Sequence, residues 1–136
     1  MLTPSQTRYT RDKRQTVVRA WIFRVFGGRT FSLRFRAERV LEEALELAQA
    51  AGYPQEKVAA LTAKVYANEP GKSGQEVGGI SISVLGFCEA AGISADECEE
   101  AELHRVLSKS PKHFEERLAR KFASGVCSED LLEEAA

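Results

Sequence analysis

Histidine and cysteine are scarce in this chain, which contains only His104, His113, Cys88, Cys98 and Cys127. The three cysteines are widely spaced and form no CxxC pair, which argues against a disulfide framework and favours a reducing compartment. The same scarcity excludes a histidine-rich metal centre and a cysteine-bound zinc site. A metal site in this protein must therefore use oxygen ligands, which suit Mg²⁺ or Mn²⁺.

Long apolar runs and the standard nucleotide or hydrolase motifs are also missing. The 136 residues contain no run of 18 apolar side chains, and the N-terminal segment lacks the apolar core of a secretory signal. No Walker A loop, no Gly-x-Gly-x-x-Gly after a strand and no Ser/His/Asp arrangement is present. We expect one cytoplasmic domain at 12–124, with a flexible lead-in at 1–11 and an acidic tail at 125–136.

Charge is unevenly distributed along the chain. Residues 1–41 carry ten basic and two acidic side chains, giving +8, whereas residues 42–136 carry nine basic and eighteen acidic ones, giving −9. Nine of the early cations are arginines, which favour bidentate contacts with phosphate or carboxylate. The asymmetry fits either nucleic-acid binding or a basic surface that docks on an acidic one in a homo-oligomer.

Hydrophobic periodicity predicts an all-α fold of five to six helices. Gly27-Gly28 should end the first helix, and a second should run from Thr30 or Ser32 to Gly52. The others are predicted at about 55–66, from the Gly78-Gly79 region to Gly92, from the capping box at 94–97 toward Lys109, and at about 112–123.

The segment 80–84 alternates Ile, Ser, Ile, Ser and Val, which locally indicates a β-strand. We predict a helix instead, because the chain offers no neighbouring strand and the apolar run continues to Gly92. Gly78 and Gly79 weaken such a helix. Close approach of the backbone at these glycines to another helix or to a ligand is the expected reason for them.

Two acidic elements are the main candidates for a functional site. Glu42, Glu43 and Glu46 fall on one side of the second helix, which is either an ordinary solvated face or half of a cation site. Glu76 is the only charged residue between Ser73 and Cys88, so we expect it to be buried. Its expected partner is a metal or an arginine such as Arg36 or Arg39.

Basic and aromatic residues supply candidate substrate contacts. If the helical turn persists through Ser110 and Pro111, the cations Arg105, Lys109 and Lys112 would gather on one side to hold phosphates. Otherwise they are solvated cations at a helix end, where the dipole favours them. Trp21, five residues before Phe26, fits a core position better than a base-stacking platform, and His104 is expected at the surface.

These motifs resemble the MazG-type all-α nucleoside triphosphate pyrophosphohydrolases, which carry EExxE on one helix and ExxD on a later one. Glu42-Glu43-Ala44-Leu45-Glu46 matches the first half, whereas Glu76-Val77-Gly78-Gly79 has glycine where the family has aspartate. The double glycine is usual in one phage and bacterial branch. That branch is also similar around Trp21, at 39–47 and from Glu102 to Lys109, so the resemblance spans roughly 17–112.

The resemblance implies hydrolysis of a (d)NTP between its α and β phosphates by a homodimer or homotetramer. Glu43, Glu46 and Glu76 would bind Mg²⁺ or Mn²⁺, Glu42 would ligate the metal or orient a water, and Glu102 would replace the missing aspartate. A metal-activated water would attack. Arg36, Arg39, Gly79, Arg105, Lys109, Lys112 and Trp21 are the substrate-binding candidates.

Some members of this branch, in phages that replace adenine by 2-aminoadenine, cleave dGTP or GTP and thereby supply dGMP. That analogy alone favours a guanine nucleotide. The alternatives are a nucleotide sensor without turnover, disabled at Gly79, and a nucleic-acid-binding module that uses the arginine-rich N-terminal region.

Overall fold

A computed structural model describes residues 8–132, and every regular element in that range is helical. The α-helices are α1 (Arg11–Phe26), α2 (Leu33–Ala50), α3 (Gln55–Tyr66), α4 (Ser73–Ala91), α5 (Ala95–Leu107) and α6 (Pro111–Ala123). Short 3₁₀ turns cover Gly28–Thr30 and Glu129–Leu131. The predicted all-α class of five to six helices is confirmed, with six α-helices in the described range, and residues 80–84 are helical despite their alternating pattern.

Local signals in the sequence explain several helix ends. The Thr10 side chain accepts from the Lys13 N–H, and the Ser32 hydroxyl accepts from the Phe35 N–H at 3.1 Å, so both cap a first turn. Gly27 and Gly92 end α1 and α4 with φ of +69°, a conformation that glycine adopts without strain. α6 begins with Pro111 directly after the capping Ser110.

The chain divides into two compact units. The first comprises the chain up to Leu41 and from Asp96 onward, and the second is the continuous segment Glu42–Ala95. The division falls inside α2 and at the start of α5. The domain boundaries that the sequence predicts stay a prediction.

The core of the first unit lies where α1 packs against α6. Its buried apolar side chains are Ile22, Val25, Phe35, Leu103, Phe114 and Cys127. The Trp21 ring meets Phe114 and Phe26 edge-on, with ring centroids 5.0 and 5.7 Å apart. Such edge-to-face contacts stabilise a fold beyond what the buried area of the rings contributes.

The segment after α6 is held against the first half of α2. Ser128 donates from its N–H and its hydroxyl to the two oxygens of Glu38, at 2.9 and 2.7 Å. Arg39 donates to the Val126 carbonyl at 2.8 Å, and Cys127 is buried. The expected lead-in at 1–11 and tail at 125–136 extend, at 1–7 and 133–136, outside the described residues.

The second unit buries far fewer side chains than the first. In residues 42–95, all of which the structure describes, Cys88 alone is buried. Most of its large apolar side chains are exposed, among them Leu61, Val65, Tyr66, Val77, Ile80, Ile82 and Leu85. Across the described chain, no single helix has the length and apolar content needed to cross a membrane.

Candidate functional site

The first acidic element lies in the second half of α2. Glu43 and Glu46 are exposed there, and Glu42 is half-buried. α2 is a regular helix through this segment, so residues three and four apart share a side, as the sequence predicted. Their carboxylates are accessible from solvent.

Glu76 lies in the first turn of α4 and belongs to the same unit. The helix dipole favours a carboxylate there, which gives Glu76 a structural reason for its position. The side chain turns back over Gly71, where an added Cβ would lie 2.2 Å from Oε1 of Glu76. Glu76 is exposed, and it makes no ion pair with any residue from 8 to 132, so the expectation of a buried, arginine-paired carboxylate is wrong.

The acidic side chains that the structure describes form no cation site. Among residues 8–132, no three histidine, cysteine, aspartate or glutamate side chains are arranged to hold a metal ion. Glu102, the expected replacement for the family aspartate, instead accepts two hydrogen bonds from Arg105, at 2.9 and 2.6 Å. Those bonds lower the pKa of Glu102, and the charges of Arg105 and Arg117 add to the effect. The arrangement therefore does not fit a preformed metal site, and the Mg²⁺ or Mn²⁺ requirement stays a prediction.

The glycines of α4 have open space around them. An added Cβ at Gly78, Gly79 or Gly86 would meet no heavy atom within 4 Å. Nothing in the described chain approaches these glycines closely enough to require them.

Arg36 and Arg39 lie one turn apart in the first half of α2, and both guanidinium groups lie near the Phe35 ring, at 5.1 and 5.3 Å from its centroid. Arg36 donates from Nε to the Thr30 carbonyl at 2.9 Å. Burial lowers the pKa of Arg36, and the neighbouring charge of Arg39 lowers it further. Arg39 contacts Glu38 and the Val126 carbonyl, so both arginines have structural contacts in the first unit.

The three cations near the α5–α6 junction do not share one helix. α5 ends at Leu107 and α6 begins at Pro111, so the condition for grouping Arg105, Lys109 and Lys112 by helical spacing is not met. Arg105 is paired with Glu102, and Lys112 lies 3.9 Å from Glu116. Lys109 is exposed between the helices.

Trp21 is part of the aromatic cluster with Phe26 and Phe114, in agreement with the core interpretation. Its indole N–H is buried and makes no hydrogen bond within residues 8–132. A stacking role toward a nucleobase would require the ring to leave this cluster.

A buried ionic cluster links α1 to α5, and the sequence reading missed it. Glu100 is fully buried and accepts from Nε of Arg14 and from the Tyr9 N–H, both at 2.7 Å. Arg14 also bonds Asp96 and Glu99. These hydrogen bonds, with the one to Asp96 foremost, raise the pKa of Arg14 above its usual range.

The side chain of His104 completes this cluster. It stacks on Tyr9 with centroids 5.9 Å apart, and its Nε2 lies 3.5 Å from Oε2 of Glu100. His104 is half-buried, so its expected surface position is wrong. Helical spacing could have indicated that both charged residues of the pair are buried. Arg14 lies three and four residues before Val17 and Val18, on the apolar side of α1, and Glu100 lies three residues before Leu103.

A cavity of about 320 Å³ lies between the end of α1 and α6. Val25, Phe26, Leu118 and Phe122 form its apolar wall, and Arg29 and Glu115 are its charged lining residues. The volume is at the lower end of the range for small-molecule sites.

Comparison with known proteins identifies no relative. No family model, curated protein or solved structure matches this chain significantly. The resemblance to MazG-type enzymes therefore rests on the residues quoted for it.

Proposed function

We propose that this protein is a nucleoside triphosphate pyrophosphohydrolase that cleaves a (d)NTP to the monophosphate and pyrophosphate. The observation that carries the proposal is the position of the two acidic elements. Glu42, Glu43 and Glu46 on α2 and Glu76 on α4 belong to one unit, and each is at least partly accessible to a substrate. The guanine nucleotides dGTP and GTP are the favoured substrates, on the resemblance alone, and the product dGMP would serve 2-aminoadenine synthesis in a phage.

The reaction needs a water oxygen to attack the α-phosphorus while the bond from that phosphorus to the bridging oxygen breaks. Pyrophosphate leaves with the bridging oxygen, and the water proton passes to a carboxylate. A glutamate carboxylate is a suitable general base for that proton. We assign this role to the acidic element on α2.

Product analysis tests the activity directly. The purified protein is incubated with each of the eight standard (d)NTPs, with Mg²⁺, with Mn²⁺ and with EDTA, and products are separated by anion exchange. We expect monophosphate and pyrophosphate from guanine nucleotides with either metal and none with EDTA. Absence of product from every nucleotide would refute the proposal.

Matched variants then locate the site. Glu43→Ala and Glu46→Ala should each lower turnover by roughly 100-fold or more, the size of effect expected for removal of an acid–base group. Glu56→Ala is the control, because Glu56 is an exposed glutamate of the same unit in the first turn of α3. Wild-type turnover in both the Glu43→Ala and the Glu46→Ala variant would place the chemistry elsewhere.

Exposed cations near α1 support a second candidate function, a module that binds nucleic acid. Lys13, Arg24 and Arg29 are exposed, and none forms an ion pair with a residue in the described range. Binding through them would weaken steeply with added salt and would not respond to EDTA. Nucleotide binding without turnover would instead identify a sensor.

A further inference from the structure

The cavity between the end of α1 and α6 is large enough for a small organic molecule. Val25 and Phe26 of α1 and Leu118 and Phe122 of α6 form its apolar wall, and all of its lining residues belong to the first unit. At about 30 Å³ for each water in the liquid, 320 Å³ corresponds to roughly ten waters. A ligand of about ten non-hydrogen atoms therefore fits.

Aromatic packing holds the wall of the cavity in place. The Phe26 ring lies 5.7 Å from the Trp21 ring and 6.4 Å from the Phe114 ring, measured between centroids. On the other side, the Phe122 ring lies 6.4 Å from that of Phe35, which is 1% exposed. A ring that moved into the cavity would lose these contacts, so the aromatic residues keep the space open.

Two side chains of opposite charge line the same cavity. Arg29 lies in the 3₁₀ turn after α1, and Glu115 lies on α6. Because Glu115 comes three residues before Leu118 and seven before Phe122, it shares their side of the helix. Neither charged side chain forms a hydrogen bond or an ion pair with any residue from 8 to 132, so the two do not pair with each other. Both are exposed, and a ligand in the cavity can reach them from solvent.

The turn that carries Arg29 is anchored. The Phe31 N–H donates to the Gly28 carbonyl at 3.0 Å, which closes the turn. Thr30 is 1% exposed, and its carbonyl accepts from Nε of Arg36 at 2.9 Å. The backbone of Arg29 is therefore fixed beside the cavity, and a ligand would not have to order it on binding.

The lining favours a ligand that has an apolar body and two opposite charges. A purely anionic ligand would pair with Arg29 but would be repelled by the Glu115 carboxylate, and a purely cationic ligand would meet the reverse. A zwitterion can satisfy both, since a carboxylate matches the guanidinium fork and an ammonium group matches the carboxylate. α-Amino acids with large apolar side chains, such as leucine and phenylalanine, have this charge pair and about the required size.

We propose that this cavity binds a free α-amino acid with a large apolar side chain, whose carboxylate contacts Arg29 and whose ammonium group contacts Glu115. The proposal does not depend on the hydrolase activity, because the acidic residues assigned to that activity on α2 and α4 belong to the second unit. It gives a role to two opposite charges that line one apolar cavity without pairing.

Equilibrium dialysis of the full chain with radiolabelled L-phenylalanine tests the site. For a ligand of this size we expect a Kd on the order of 1 mM, so the titration should reach at least ~10 mM. Phenethylamine lacks the carboxylate and 3-phenylpropionate lacks the ammonium group. Each should compete roughly fivefold more weakly than unlabelled L-phenylalanine, the size of effect expected for one exposed ion pair.

Matched variants assign each charge to its partner. Arg29→Met should weaken L-phenylalanine binding roughly fivefold and should not weaken phenethylamine binding, whereas Glu115→Gln should spare 3-phenylpropionate instead. Arg24→Met and Glu116→Gln are the controls, because both residues are exposed close by in the sequence and neither lines the cavity. Both controls should bind L-phenylalanine as the wild type does.

Filling the cavity provides a test that keeps both charges. Ala119 lines the cavity and is exposed on α6, and leucine is also a good helix former, so Ala119→Leu should fold normally. With wild-type thermal unfolding, this variant should bind L-phenylalanine at least roughly tenfold more weakly, because the added side chain takes up ligand space. No saturable binding of L-phenylalanine to the wild type, equal binding of an analogue that lacks one charge, or equal effects of Arg29→Met and Arg24→Met would overturn the proposal.

Discussion

The two units of this chain differ in how many of their side chains they bury. The first unit buries an arginine and a glutamate as well as apolar side chains, and the segment after α6 is hydrogen-bonded to its second helix. The second unit is richer in uncharged apolar sequence in α4, yet it buries one residue there. Apolar content therefore does not measure how much a segment buries within its own chain, because that depends on whether partner helices are available.

From this contrast we expect the stability of the first unit to depend most on Arg14. Arg14→Met leaves Glu100 buried without its guanidinium partner, which should lower the free energy of unfolding by about 3–5 kcal/mol. Denaturation followed by the fluorescence of Trp21, the chain's single tryptophan, measures it. Arg24→Met is the control, because Arg24 is exposed, and an equal loss in both variants would show that the buried pair has no special role.

Hydrogen exchange compares the two units directly. At protein concentrations low enough to dissociate any assembly, amides of α3 and α4 should exchange at least tenfold faster than those of α1 and α6, because few packed side chains protect them. Equal protection of both units in the most dilute sample would contradict the contrast.

Acid should weaken the first unit through Glu38. Hydrogen bonds from the Ser128 hydroxyl, foremost, and from the Ser128 N–H and Arg39 lower the pKa of Glu38 below its ordinary value of 4.5, although burial opposes them. A lowered folded-state pKa adds stability above pH 4.5, and that stability disappears as the pH falls through the folded-state value.

Glu38→Gln tests this effect. The variant should be less stable than the wild type at neutral pH and should approach it in strong acid, as measured by denaturation at each pH. Glu129→Gln, at a nearby exposed position, should follow the wild-type curve throughout. Parallel curves for wild type and Glu38→Gln would remove Glu38 as a cause of acid sensitivity.

Removal of a helix cap should change the free energy of unfolding least. The Ser110 hydroxyl accepts from the His113 N–H at 3.3 Å at the start of α6, so Ser110→Ala should cost about 1 kcal/mol of the free energy of unfolding. Ser124→Ala removes a hydroxyl beyond the other end of α6 and should cost less. Trp21 fluorescence reports both changes, and an equal loss would show that the Ser110 cap contributes nothing particular.

The sequence predicted the helices well because their signals are local. Gly27, Gly92 and Pro111 mark boundaries through backbone geometry that needs no tertiary context. Residues 80–84 were assigned correctly only by reference to the missing strand partners, since their period-two pattern indicates a strand. The Gly78–Gly79 pair did not prevent the helix.

The candidate site was less predictable because burial depends on neighbours distant in sequence. Glu76 stands alone in an apolar run, but its helix is exposed, so the inference that it is buried failed. Arg14 is one of many arginines in a basic segment, and only its place on the apolar side of α1 distinguished it. The spacing of Glu42, Glu43 and Glu46 fixed their shared side of α2. Spacing alone did not show whether Glu76 forms a site with them, because that depends on tertiary packing.

The contact between Ser128 and Glu38 also bears on how the chain is synthesised. The two residues are 90 positions apart, so Glu38 is made well before the hydroxyl that bonds it. At 5–20 residues per second, that delay is roughly 5–20 s. During this interval the first turns of α2 and the whole segment Glu42–Ala95 are outside a completed fold, with apolar side chains in water. The contact that joins the segment after α6 to α2 therefore cannot form until nearly the whole chain has been made.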